Sequence, residues 1–408
     1  MRSVLASSIG FLAALAIINS QVSADGTEAT QVVCFGAGEP GSTGGQNFGQ
    51  STVPPGIRDA VQISGGIFHT AALLRSGEVV CWGTNDHGAG VGRVYGSQAS
   101  GAPITSGVQG DHVQVLGQVL TGAIQVSAGE LHTTALLQGG SVVQWGTLDY
   151  PVPAGLVATS VSAGSLFTMA LRPDGRVVCW GRNYHGDCLG TDAAGNAISG
   201  TPDGSQPVRV LGEELQGVVQ IAAGYEHATA LRQNGTVACW GRNDYGQRVV
   251  PANLPAARQI DGGIYHTVVL GRNGKVYCWG DNSYGQSAGT LPSGEPDRSA
   301  GTGLRMVKIN GVPLRRVEAI ASGAGYHSIA LLRDGVVVAW GASNPSNPGA
   351  SYGQTAVPSS VQGRALAIDG GYISTVVLTE APEEEGEDDA DGDGESECQN
   401  GLQAYGGG

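Results

Sequence analysis

The sequence predicts an all-β protein, a seven-bladed β-propeller closed by an N-terminal strand that completes the last blade. Three observations carry this. All six tryptophans of the chain follow, by thirteen residues, a position held mostly by histidine. A glycine-bearing pair lies between the two anchors in each of those copies. A seventh copy lacks its second half, and the missing half reappears near the N-terminus.

The first anchors are His69, His132, His227, His266 and His327, with Phe167 and Ser374 at the same place in the other copies. Each opens an apolar run such as HTAALL or HATALR. The second anchors are Trp82, Trp145, Trp180, Trp240, Trp279 and Trp340. An interval that never varies over six copies marks an internal repeat, and repeats of this period are stacked supersecondary units. Pairs such as Ser76-Gly77, Asp174-Gly175 and Asn273-Gly274 favour two-residue hairpin turns, because both central residues tolerate positive φ. A two-residue turn at Asn273-Gly274 would pair Leu270 with Tyr277 and Val268 with Trp279, leaving Val269 and Cys278 on the opposite face. Both faces are apolar, so the hairpin must be covered on both sides, as stacked blades are.

The split copy predicts the closure. Ser374 opens STVVLT, but Glu380-Ala381-Pro382 follows instead of a turn and a tryptophan strand. Residues 32–36, VVCFG, match VYCWG at 276–280, with Phe35 replacing tryptophan. A closed ring leaves only short, protected strand edges.

The pattern Gly-x-x-His-Thr-x-Ala-Leu followed by Trp-Gly-x-Asn-x-x-Gly-Gln resembles the repeat of the regulator of chromosome condensation family, over residues 31–379. The resemblance implies a seven-bladed propeller that works by binding proteins. Two repeat lengths are mixed. From tryptophan to the next histidine position the gap is 50, 47 and 48 residues after Trp82, Trp180 and Trp279, but 22 and 26 after Trp145 and Trp240. Long copies, with segments such as QPVRVLGEELQGVVQIAAG, resemble the eukaryotic regulator. Compact ones, such as GQRVVPANLP, resemble a secreted bacterial propeller that inhibits β-lactamase.

Around this body the chain divides simply. Arg2, the apolar run Val4 to Ile18 and Val22-Ser23-Ala24 read as a signal peptide over residues 1–24, followed by a short linker at 25–30. The expected protein is secreted, extracellular or periplasmic, and has no membrane span after cleavage. Residues 380–408 form an acidic tail expected to be disordered. From Glu380 to Glu397 it holds eleven carboxylates and no Lys or Arg. The whole chain carries −14, so the body is only mildly acidic and offers no basic excess for nucleic acid. Asp389, Asp391, Asp393 and Gly394 resemble the start of a calcium loop, but Asn400 stands where its closing glutamate belongs. No metal or other cofactor is expected.

The repeated histidines read as structural, because each begins the same strand of a different blade and they do not converge. Cys34, Cys81, Cys179, Cys239 and Cys278 all precede the tryptophan position, where Gln144 and Ala339 stand in other copies. They read as buried free thiols, since equivalent cysteines of blades about 10 Å apart exceed the roughly 7 Å Cα limit for a disulfide. Cys188 falls in a loop and Cys398 in the tail.

The candidate partner-binding residues follow the tryptophans. His87, Tyr150, His185, Tyr245 and Tyr284 come five residues after, and Phe48 and Tyr352 precede the matching Gly-Gln in copies of longer spacing. Seven rings at one turn would form a circle on one face of the disk. Such a circle either shields its own turns or serves as an aromatic platform, as interface hot spots do. The adjoining Asp86, Asp149, Tyr184, Asp244 and Ser283 vary as a specificity layer would. Insertions near 89–112, 187–205 and 287–304 are expected to extend as loops.

The sequence contains no nucleophile elbow, phosphate loop, dinucleotide fingerprint or zinc-protease motif. The function expected is therefore a secreted, non-enzymatic, monomeric protein-binding propeller, an inhibitor of or scaffold for an extracellular protein. A carbohydrate-binding or polysaccharide-degrading propeller is the alternative. Guanine-nucleotide exchange on a small GTPase, as the family resemblance implies, sits poorly with a signal peptide.

Overall fold

The computed structural model describes residues 29–37, 48–84, 112–115, 117–146, 150–299, 301–323, 325–342 and 352–381. The expected signal peptide, most of the first insertion, His87 and the residues beyond 381 lie outside them, and with these the calcium-loop-like residues and Cys398. Among the described residues, seven antiparallel sheets of three or more strands form, with three two-stranded hairpins besides. Blade 1 takes Ala60–Gly65, His69–Leu74 and Val79–Gly83 as inner, middle and outer strands. In blade 2 the strands are Ala123–Ala128, His132–Leu137 and Val142–Gly146; in blade 3, Ser160–Ala163, Phe167–Leu171 and Val177–Gly181. Blade 4 uses Val218–Ala223, His227–Arg232 and Val237–Gly241. Blade 5 follows with Ala257–Gly262, His266–Gly271 and Val276–Gly280, and blade 6 with Val317–Ala321, His327–Leu332 and Val337–Gly341.

Blade 7 joins the two ends of the chain. Ala365–Gly370 and Ser374–Glu380 supply its inner and middle strands, and Thr30–Gly36 is its outer strand. Phe35 pairs with Thr375 as Trp279 pairs with Thr267. Blade 7 in turn bonds blade 1, through Tyr372 N–H to the Gly66 carbonyl (3.2 Å) and Gly65 N–H to Asp369 Oδ2 (2.9 Å). The inner strands of all seven blades line one central channel of about 130 Å³.

The hairpins differ from the sequence expectation by one residue. Gly271 N–H bonds the Lys275 carbonyl and Gly274 N–H bonds the Gly271 carbonyl, both at 2.9 Å. The loop therefore has three residues, and only Gly274 takes positive φ (+74°). A turn followed by one left-handed glycine forms this loop, and an Asn-Gly pair suits it as well as a two-residue turn. The register becomes Leu270 with Val276, Val268 with Cys278 and Thr267 with Trp279. Trp279 thus shares a face with Thr267, and this places an indole N–H beside a hydroxyl.

That pair makes the seam between blades. Thr267 Oγ1 and Trp279 Nε1 both donate to the Gln247 carbonyl, at 3.0 and 2.9 Å, from the turn that follows blade 4. Ser328 and Trp340 treat Gln286 alike (3.1 and 3.0 Å), and Thr70 and Trp82 treat Gln50 alike (3.0 and 2.9 Å). The histidine of the preceding blade meets the same hydroxyl, His266 Nε2 to Ser328 Oγ at 2.9 Å and His227 Nε2 to Thr267 Oγ1 at 3.2 Å. A carbonyl only accepts, so the hydroxyl hydrogen goes to glutamine and Nε2 must carry the hydrogen given to the hydroxyl. The repeated histidines are neutral, structural Nε2–H tautomers. Their approach also explains the glycine three residues before: a Cβ on Gly263 would lie 2.1 Å from His266 Cε1.

Apolar packing fills the rest of each interface. Trp279 shares a buried cluster with Cys239 of blade 4, and Trp340 with Cys278 of blade 5. A small thiol under a large indole fills the space between sheets. Cys34, Cys81, Cys239 and Cys278 are buried free thiols, and burial pushes all four well above the usual thiol range. Cys179 corrects the expectation: it is bonded to Cys188, nine residues on. The partner is not a cysteine of the next blade but one brought back by its own insertion. Asn183 Oδ1 accepts from the N–H groups of Cys188 and Leu189 (3.0 Å each), folding the segment onto its blade. Asn282 holds the next long insertion through Asp297, Ser299 and Ser287. The two described insertions are thus pinned rather than free loops, and Arg305–Met306 adds a fourth strand to blade 5.

Four outcomes are expected. Ser328→Ala leaves the His266 N–H and one lone pair of the Gln286 carbonyl unmet and should cost about 1–3 kcal/mol. His266→Phe with Ser328→Ala should cost less than the sum of the single changes by about 1 kcal/mol in denaturant titrations. The pH dependence has a definite sign. Burial lowers His69, His227 and His327 to about 4 and His132 and His266 to about 3. Bases with depressed folded pKa give stability that is full above the unfolded value near 6.5 and lost as pH falls through the folded one. Asp369, raised to about 7 by burial, then by the Asp261 charge, acts oppositely: its contribution is full below about 4 and lost as pH rises through 7. Removing one histidine in the double variant should therefore lessen the stability lost between about pH 6.5 and 3. An equal slope in both proteins would show that His266 does not titrate this way. Cys188→Ser, which opens a ten-residue loop, should lower stability by about 2–3 kcal/mol in calorimetry.

Candidate functional site

In blades 4, 5, 6 and 7 the turn after the outer strand carries the aromatic residue and is built by the same glutamine that makes the seam. Gln247 Oε1 accepts from Tyr245 N–H (3.0 Å), Gln286 from Tyr284 (2.9 Å), Gln354 from Tyr352 (2.7 Å) and Gln50 from Phe48 (2.9 Å). Each side-chain oxygen folds the turn while the backbone carbonyl of that glutamine anchors the next blade. Middle strands start at the histidine and outer strands end beside it, so these turns share one face of the disk, the His face. The glycine loops occupy the other face.

The predicted circle is not uniform. Phe48, Tyr245, Tyr284 and Tyr352 occupy equivalent turns. Tyr150 instead packs beside the buried cluster of Trp180 and Val178. His185 is partly covered, its N–H directed at Asp187 Oδ2 (3.4 Å). In that blade the exposed ring is its neighbour Tyr184, 73% exposed, with the Arg182 guanidinium 5.4 Å above it.

Sequence reasoning missed a second tier of rings. Phe68, Tyr265 and Tyr326 directly precede the histidine position, and Tyr225 and Tyr372 come two before it. They continue the outer rings inward. Phe48 meets Phe68 edge-on at 5.2 Å, Phe68 meets Tyr372 at 6.2 Å, and Tyr372 meets Tyr326 at 6.1 Å. Tyr326 contacts Tyr284 at 5.0 Å and Tyr265 at 6.2 Å, and Tyr265 stacks on Tyr245 at 4.8 Å. The rings form an unbroken arc from the turn after blade 7 across to blade 4. The signal available was an aromatic at the position before histidine in three copies, but Leu131, Leu166, Glu226 and Ile373 hold it elsewhere.

Carboxylates border the arc. Burial, then the Glu130 and Glu226 charges, raises Tyr225 to about 12. Burial and neighbouring phenols also raise Tyr326 and Tyr372. These phenols stay neutral at physiological pH and present O–H donors beside open ring faces. Glu226 pairs with Arg242, whose guanidinium lies 5.1 Å over the Tyr265 ring and also meets Asp244 at 2.6 Å. Ser165 donates to Glu130. Asp187, buried where other turns hold glutamine, is raised to about 7 by that burial. Among the described residues no three His, Cys, Asp or Glu side chains are placed to hold a metal ion. The central channel suits a few waters, since a small-molecule site is typically about 300–1,000 Å³. The His face is instead a broad surface of rings and hydrogen-bond donors, suited to another surface.

The chain matches the family model of the Regulator of chromosome condensation repeat at residues 60–89, 158–187, 218–247 and 257–286, and a second model of that repeat at 174–231. It is 35% identical over 125 residues to the mouse Regulator of chromosome condensation, 30% of this chain and 27% of the relative. It is 29% identical over 224 residues to the human probable E3 ubiquitin-protein ligase HERC6, 53% of this chain and 17% of that one. The matches thus span about a quarter or less of these relatives' lengths. Among solved structures, Prp20p of Saccharomyces cerevisiae, described with its binding to Gsp1p and histones, superposes with a TM-score of 0.63 at 18% identity, over 88% of this chain and 93% of that one. This chain is a β-propeller that carries the regulator of chromosome condensation repeat in four of its blades, the first, third, fourth and fifth.

Proposed function

We propose that the protein is a secreted, non-enzymatic propeller that binds a protein partner on its His face, most concretely as an inhibitor of an extracellular enzyme. The observation that carries the reading is the unbroken arc of rings from Phe48 to Tyr245. Partly exposed tyrosines held on rigid turns give large contact area at small entropic cost, as interface anchors do. The binding of Prp20p to Gsp1p and histones supports the use of this fold for protein recognition. Secretion is supported by the leader-like N-terminus and by the Cys179–Cys188 disulfide, since such bonds persist in oxidising compartments. A tyrosine arc also suits sugar stacking, which makes glycan binding the second reading.

Affinity capture by the mature propeller should return a protein, and a glycan array should be silent. Changing Tyr245 and Tyr284 to alanine should weaken capture about thirtyfold or more, the loss of a hot-spot pair, with the melting temperature held within a few degrees. Glycan binding without protein capture, or capture untouched by the double change, would overturn the reading.

A further inference from the structure

Arginines cluster at the glycine-loop end of the blades. Arginine stands where the middle strand gives way to the glycine loop in five blades: Arg75, Arg272 and Arg333 open the loop, and Arg172 and Arg232 come one residue earlier. All middle strands run the same way, so these two adjacent repeat positions place guanidinium groups at the turn face of five blades. Some are neutralised locally. Arg172 and Arg176 meet Asp174, Arg316 meets Asp334, and Arg333 meets Glu318. Arg75, Arg232, Arg272, Lys275 and Arg364 have no carboxylate partner among the described residues. The neighbouring turns touch: Arg272 Nη2 donates to the Gln233 carbonyl of blade 4 at 2.9 Å. On the opposite face Glu130, Asp187, Glu226, Asp244 and Asp281 lie among Arg182, Arg242 and Arg248.

The chain leaves the fold on the cationic side. Ser374 begins at the His face, so the strand ends at Glu380 on the turn face. There Arg364 Nη2 donates to the Glu380 carbonyl (2.6 Å), and Ala381 N–H bonds the Ala29 carbonyl (2.9 Å). The next sixteen residues, 382–397, hold ten carboxylates and no Lys or Arg. They start within reach of Arg364 in their own blade and Arg75 in the next. A segment of that length spans at most about 55 Å, enough to cross several blades spaced about 10 Å apart.

We infer that the acidic segment 382–397 docks across the turn face of its own propeller, on the cationic ring that includes Arg75, Arg232, Arg272, Lys275 and Arg364. The exit point supplies a high local concentration, and opposite charges attract within a Debye length of about 10 Å. Docking neutralises a cationic surface of an acidic protein. It keeps other polyanions off that surface and leaves the His face open. The inference is independent of the function proposed for that face.

The test uses the full chain without truncation. At about 10 mM ionic strength, where the Debye length is about 30 Å, a carbodiimide should join carboxylates of 383–397 to the Lys275 amine, as read by peptide mapping. The yield should fall at least fivefold at about 1 M salt, where that length is about 3 Å. It should fall comparably at low salt in an Arg75→Glu, Arg232→Glu variant, with folding checked by circular dichroism. If the variant fails to fold, the salt series on the unaltered chain decides. Absence of the Lys275 product, or a yield indifferent to salt, overturns the inference, as does a folded variant that crosslinks like the parent.

Discussion

His266 donates across the gap between two blades to Ser328, and Ser328 passes its own hydrogen to the Gln286 carbonyl, which also takes the Trp340 indole N–H. Four groups from four segments meet at this point, and all are buried. Much of the architecture depends on the arrangement. It sets the position of one blade on the next, and it fixes the turn that Gln286 closes over Tyr284. The aromatic rings are therefore placed by the same contacts that hold the ring of blades together. Rigidity at the seam becomes preorganisation at the surface, where an ordered side chain loses little entropy on binding.

The irregular copies show how strict the seam is. At the blade 3 to blade 4 seam the histidine is Phe167, and the hydroxyl position opposite is Ala228. Donor and acceptor have gone together, so neither is stranded, and replacing both partners by apolar groups is far cheaper than removing one. Blade 2 has no Gly-Gln turn. There Gln144, standing at the usual cysteine position, offers its Oε1 to both Trp180 Nε1 (3.0 Å) and Thr168 Oγ1 (3.2 Å). A side-chain oxygen replaces a backbone one at the same place. A second seam nearer the axis works similarly: Gln62 makes paired bonds to the backbone of Val126, and Gln259 does so with Ile320.

What could be read beforehand was whatever repeats in register. The invariant interval from histidine to tryptophan gave the strand pairing, and Phe35 in a tryptophan-like context gave the closing strand. The hairpin register was not legible, because Asn273-Gly274 suits a two-residue and a three-residue loop alike, and only the hydrogen bonds of Gly271 separate them. Cys188 was not legible as a partner for Cys179, since its approach depends on Asn183 folding the insertion back. The outer rings were visible because they follow a fixed anchor. The inner rings were hidden because Tyr265 and Tyr326 share their repeat position with leucine, glutamate and isoleucine.

A closed ring of parallel-oriented blades amplifies small preferences. A residue favoured at one repeat position appears several times on one face and never on the other. Arginine at the two positions entering the glycine loop and aromatic residues just before the histidine thus become a cationic ring and an aromatic arc, at opposite ends of the same strands. Neither requires insertions or a second domain. The scaffold tolerates the divergence of both because the seams lie between them: His, hydroxyl, tryptophan and glutamine are buried, and the loops beyond them join neighbouring blades chiefly through backbone groups, as Gly77 and Gly235 do with Ala123 and Ala257. Changes on either face can therefore alter what the protein touches without disturbing how its blades stack.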